Sequence, residues 1–270
     1  MTDYYERAEI QHPSNPNLRR IRALRDWEVQ GIEIKAGDLG GWLSDDSVLA
    51  QDGSWIADDS IVSYRSKVSG RSKVSGSSKV LGGSVVSDRS TVSNRSTIAN
   101  RSTILGGSMI LDSSAVTGSS TVTSSSTVSD GSAVINRSWI SGRSSVTGSR
   151  VTGGGSVTGS TVTVDPITIH GFEYPITICD DNICIGCRSM PLDNWIAQAD
   201  ELAEKEDAPL LLAAKDAIIA LARQHQQRVR EKSEDQFNAS LQGQIDQLRD
   251  RRTEMQLDQG LPAEEPGNVP

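Results

Sequence analysis

Residues 66–83 read SKVSGRSKVSGSSKVLGG, three successive copies of one six-residue unit. Written from its aliphatic residue, as at 68–73, the unit is Val-Ser-Gly-Arg-Ser-Lys. Working outward from this stretch, Ser stands at every sixth position from Ser54 to Ser144, sixteen times. Val or Ile follows two residues later each time, from Ile56 to Val146. A period this strict means one short unit repeated along an axis. Side chains alternate across a strand, so the two-residue spacing puts Ser and the aliphatic on one face and the residues beside them on the other. Ser and Val/Ile are expected inward. The intervening positions, rich in Gly, Asn and Asp, supply the corners. A disordered Ser/Gly tract has no reason to keep a branched aliphatic in phase.

The order aliphatic, small, two free, small, free resembles the hexapeptide repeat of left-handed parallel β-helices. That resemblance implies a mainly β chain in which three hexads close one triangular coil, here over 47–164. About 19 hexads then give about six coils, a rod of about 30 Å at ~4.8 Å per coil. Near the end the beat shortens: Val146 to Val151 and Val157 to Val162 are five residues apart, with glycine at 153, 154 and 155 between them. The array is expected to taper there.

The flanks are expected to cap the rod, because an uncovered end exposes apolar core and strand edges. Residues 1–46 read as an arm and cap. Residues 1–17 are a loose polar arm; 18–45 hold two or three short strands with Gly turns, and Leu18, Ile21, Leu24, Trp27 and Trp42 form a plug. Residues 165–190 read as short strands over 167–169, 174–179 and 183–187, with a hairpin turn at Asp180-Asp181-Asn182. A helical appendix follows over 191–257, with a second helix over 210–223 and a Gln/Arg/Glu-rich solvated helix or weak coiled coil from about 226. Residues 258–270 read as a disordered tail. The segments GDLGGWLSDDSVLAQDGSWIADDSIV at 37–62 and YPITICDDNICIGC at 174–187, the latter followed by Asp193-Asn194-Trp195, resemble a family of bacterial and phage hexapeptide-repeat proteins. Members carry transferase-like or polymer-forming labels because of the repeat. The likeness spans roughly 18–225; it implies a phage- or prophage-borne β-helix protein and brings no reaction with it.

Charge is unevenly placed. The net −8 divides into −6 over 1–60, +8 over 61–160 and −10 over 161–270, a basic rod between acidic ends. Aromatics are 4% of the chain, too few for a bulky layered core. The absence of a run of 18 apolar residues argues against a membrane span. No secretory signal is visible, and an odd, clustered set of three cysteines does not suggest a disulfide framework, so a cytoplasmic protein is expected.

Several groups are candidates for chemistry. Similarity to acyltransferases built on this coil would imply trimers, a general-base His between subunits and acyl-CoA along the coils; such a base must titrate near neutral pH. Only His12, His170 and His225 exist, none within the array, which leaves His170 as the one weak catalytic candidate. Cys179, Cys184 and Cys187 have metal-like spacing, but a metal site needs four ligands as a rule, and buried small hydrophobes are the plainer reading. No cofactor is expected. Arg65, Lys67, Arg71, Lys73, Lys79 and Arg89 are the candidate binding residues for a nucleotide, nucleic acid or acidic protein. With 18 residues to a coil, Arg71 and Arg89 stack on one corner, and Lys67, Lys73 and Lys79 fall one on each face. Base stacking would need aromatics, and only Tyr64 and Trp139 point outward. The outward Leu105, Met109, Leu111, Ile135 and Trp139 are expected to form the interface of a homo-oligomer, a dimer or trimer by default. The sequence therefore reads as a non-enzymatic, self-associating scaffold that binds a host protein, a defence component among them. An acyl- or nucleotide-sugar-dependent hexapeptide transferase and a nucleotide or nucleic-acid binder acting through the basic coils are the alternatives.

Overall fold

The computed structural model describes residues 3–258 apart from 187 and 206; the metal candidate Cys187 and the tail from 259 onward lie outside the described residues. The chain divides into two units, residues 1–226 and 227–270.

The first unit is a parallel β-solenoid of about seven coils. Its strands are two or three residues long and stack into three parallel sheets. Lys79–Val80 pairs with Ile61–Val62 on one side and Thr97–Ile98 on the other, partners 18 residues apart. The aliphatic column from Ile56 to Val162 is 0% exposed throughout. Each such side chain contributes about 1.5–3 kcal/mol by leaving water.

The buried serines are not mere fillers. The Ser102 N–H donates to the Ser84 hydroxyl at 3.2 Å, and Ser84 in turn donates its N–H to the hydroxyl of Ser66. The same 18-residue link joins Ser54 to Ser72 and Ser126 to Ser144. At most positions Ser is thus small enough for the corner and also accepts a buried N–H that the strand ladder does not reach; the hydroxyls of Ser90, Ser96 and Ser114 make no hydrogen bond. At the corners, pairs such as Asn100-Arg101 and Asn136-Arg137 stand at positive φ. That conformation costs a non-glycine residue about 1–2 kcal/mol. Backbone bonds between coils hold it: Arg101 N to Gly82 O and Arg137 N to Gly118 O are both 2.9 Å.

The N-terminal region departs from expectation. The arm is ordered: Tyr5–His12 pairs antiparallel with Asn15–Ala23. Tyr5 is buried, and its hydroxyl donates to Leu49 O at 2.6 Å. YERAEIQH shows no period-two alternation, because only Tyr5 and Ala8, three residues apart, are buried and the pairing is irregular between Arg7 and Gln11. Leu24 does not join the plug but is exposed, while Leu18, Ile21 and Trp42 are buried. Leu39–Leu43 pairs in parallel with Ile61–Val62, and Leu49 bridges Val68. With Trp55–Ile56 they make a first coil out of largely non-repeat sequence, which is why the coils exceed the six counted from hexads. Gly41 is required there: a Cβ would run into the Ile56 side chain and Ser60 O.

Beyond the array, a four-stranded antiparallel sheet runs Ile167–Ile169, Ile176–Ile178, Asn182–Ile185, Arg188–Pro191. The last strand, ending in proline, gave no strand signal. Helices Leu192–Lys205 and Pro209–Ala213 follow, then Lys215–Asp258. The helix read over 210–223 is broken at Ala214. Trp195, Leu211, Ile218 and Ala222 pack with Ile176, Ile178 and Ile183 in a second core. In the second unit Phe237, Leu241 and Ile245 are exposed on the helix, which carries Gln227–Glu231 and Gln242–Asp246 side-chain bonds. Among the described residues no helix is long and apolar enough to cross a membrane.

Candidate functional site

The solenoid offers three faces, three corners and two ends, and the sequence loads each differently. On the faces, Lys67, Lys73 and Lys79 project from the sheets of Val85, Thr91 and Thr97 respectively, one per face. Above Lys67 the outward column is Val85, Thr103, Thr121, Trp139, Ser156, and its neighbouring column runs Ser87, Leu105, Thr123, Ser141. That face carries no charged residue beyond Lys67, and Trp139 is 48% exposed on it. The apolar set does not gather in one patch. Leu105 shares the face of Trp139; Met109 and Leu111 lie on a second; Ile135 lies on the third, beside Ala115 and Ala133.

The corners sort by charge. One stacks Asp58, Gly76, Asn94, Asp112 and Asp130, with Arg95 beside them. A second holds Arg71 and Arg89 and is partly covered. Arg71 donates to Glu28 O at 3.2 Å, and Gln30 donates to Arg71 O and Arg89 O, from the hairpin Trp27–Val29/Ile32–Ile34. Arg71 therefore anchors the cap rather than standing free. The third corner carries Arg65, Arg101 and Arg137, all exposed; its first coil, between Leu43 and Leu49, holds Asp45 and Asp46, the latter paired with Arg7, and the coils from Tyr64 to Gly154 add no acidic residue to it.

The ends are chemically opposite. In the strands the N–H of each coil donates to a carbonyl of the next, so the first coil is left with carbonyls and the last with N–H groups. Cationic and hydroxyl or indole donors meet the first: Arg20 to Gly40 O, Arg7 to Ser44 O, Tyr5 to Leu49 O, Trp27 to Gly53 O. Side-chain acceptors meet the last: Arg150 N donates to Asp165, Ser156 N to Thr177, Thr161 N to Asp181 and Thr163 N to Asp180. Asp180 also faces the fully buried His225, at 3.4 Å. Burial pushes the Asp180 carboxyl up, but hydrogen bonds from His225, Thr163 and Val164 outweigh it and hold the group below the usual carboxylate range. Asp181 is raised by burial. Sequence reasoning missed His225, because its partner lies 45 residues away.

Cys179 and Cys184 sit together as free, buried thiols at the end of the core, where Cys184 contacts the Ser189 hydroxyl at 3.5 Å. A hydrogen bond between the two thiols, reinforced by burial, raises the Cys179 thiol well above its ordinary value, and the same hydrogen bond lowers that of Cys184. Among the described residues no three His, Cys, Asp or Glu side chains converge on a metal position. His170 is exposed beside Gly153 and Gly154, at the last coil of the arginine corner. An apolar cavity of about 190 Å³ lies between Tyr174, Ile185, Met190, Trp195 and Leu211.

No protein-family profile and no curated protein matches the chain, so the likeness drawn from 37–62 and 174–187 rests on those residues alone.

Proposed function

We propose that the chain is a non-catalytic β-solenoid scaffold that self-associates through its Trp139 face and holds a second protein. The observation that carries this reading is the uncharged, flat column Val85, Thr103, Thr121, Trp139 with Leu105 beside it, framed by charged corners. A sheet face without charge over these coils, with a half-exposed Trp on it, suits a protein contact, because Trp is favoured at interfaces. The six-residue beat and the hexapeptide likeness support a left-handed coil. The likeness of the two flanks to phage-borne proteins supports a host protein as the partner. Thr121 stands at the centre of the face, so in a symmetric pair it lies near its own copy. Thr121→Cys is expected to form an intermolecular disulfide under mild oxidation. Thr97→Cys, on another face, is expected to stay a monomer on non-reducing gels. Equal cross-linking at both positions would contradict the assignment of the face.

A further inference from the structure

The arginine corner has a geometry of its own. Its backbone is laddered without a gap: Gly83 N to Tyr64 O, Arg101 N to Gly82 O, Ser119 N to Asn100 O, Arg137 N to Gly118 O and Gly154 N to Asn136 O, all 2.8–2.9 Å. The backbone of the corner is therefore held coil by coil, and the positions from which its side chains project keep a fixed spacing. Arg65, Arg101 and Arg137 occupy alternate coils, and Gly83 and Ser119 fill the coils between. Stacked strands lie about 4.8 Å apart, so the points from which the three arginines project recur about every 9.6 Å. The stem of Arg101 passes over Gly83, where an added Cβ would stand 3.8 Å from its Cγ. None of the three arginines makes an ion pair among the described residues. A shallow groove runs between Arg101 and Arg137 over Gly118 and Ser119, with Asn100 on its wall. Tyr64 is 68% exposed at one end of the row and His170 stands at the other.

The geometry points to a binding site for an extended anionic polysaccharide that carries one carboxylate on every second sugar. Two pyranose rings in an extended chain cover close to two coil heights, so each acid meets a guanidinium, and the fork of Arg suits a carboxylate. Asn100 and Ser119 provide the hydrogen bonds a sugar hydroxyl needs, and the open Tyr64 ring provides an apolar platform for a terminal sugar. A nucleic-acid strand fits less well: its charges recur more closely, about every 3.4 Å of axis for each strand of a duplex. This site does not depend on self-association through the Trp139 face.

The test is calorimetry of the full chain at low ionic strength with four probes: a hyaluronan octasaccharide, with a carboxylate on alternate sugars; an oligogalacturonate of equal length, with one on every sugar; neutral dextran; and oligothymidylate. Hyaluronan is expected to bind best and to weaken as salt rises. Arg101→Asn, which keeps a residue tolerant of positive φ, is expected to weaken it about tenfold. Arg95→Asn, on the acidic corner, leaves it unchanged. Ser119→Arg fills the empty coil and is expected to shift preference toward the oligogalacturonate, an outcome misfolding cannot mimic. Unchanged affinity in Arg101→Asn, equal binding of dextran, or tightest binding of oligothymidylate would overturn the proposal.

Discussion

At the scale of single residues, the inter-coil bonds accepted by most of the buried repeat serines separate this coil from a merely hydrophobic one. Ser84 is fully buried, and its oxygen receives the Ser102 N–H. Ser84→Ala keeps the volume nearly constant but strands that donor, which costs about 1–3 kcal/mol. Chemical denaturation should show that loss; an unchanged midpoint would mean the hydroxyl merely fills space. Asp180 and Asp181, neighbours in one turn, are set in opposite senses. A carboxylate held below its usual value adds stability above about pH 4, and that contribution fades as pH falls through the lower folded value. Asp180→Asn should therefore cost about 1–3 kcal/mol at pH 7 and flatten the acid limb of the stability curve. Asp181 is raised, so its contribution is present at low pH and lost as pH climbs through its folded value. Asp181→Asn should leave pH 3 stability alone and raise the melting temperature at pH 7. Thermal melts from pH 3 to pH 7 would expose the reverse ordering if the account is wrong.

Among the elements, the array was readable from sequence because both of its inward columns, Ser and Val/Ile, are set two residues apart within every hexad. Each strand announces its own inside. The caps are not local in this way. Tyr5–His12 carries only two core-facing residues among charges, and its role comes from pairing with Asn15–Ala23 and from the Tyr5 bond to Leu49. Arg188–Pro191 ends in a residue that disfavours strands, yet it closes the terminal sheet. His225 lies on a helix that reads as an ordinary amphipathic segment; its burial against Asp180 is set by the fold of the terminal sheet. What decides the caps is a polarity that sequence spacing does not display. A parallel coil ends in carbonyls on one side and N–H groups on the other, and arginines or aspartates are placed to match.

On the scale of the whole solenoid, winding converts a basic stretch into separated surfaces. Read in line, 61–160 is a net basic stretch, with most of its lysines and arginines before residue 102. Wound at 18 residues per coil, it yields an arginine corner, an acidic corner and a face whose one charged residue is Lys67, and it parts Leu105 and Trp139 from Met109, Leu111 and Ile135. Self-association through the Trp139 face is the claim on which the functional reading stands. Sedimentation equilibrium of the wild-type chain and of Trp139→Asp tests it most directly. The expected result is a wild-type mass that is a multiple of 29.0 kDa, falling to 29.0 kDa in the variant with its circular dichroism unchanged. A wild-type chain that sediments as a monomer at micromolar concentration, or a Trp139→Asp variant that keeps the wild-type mass, would contradict it.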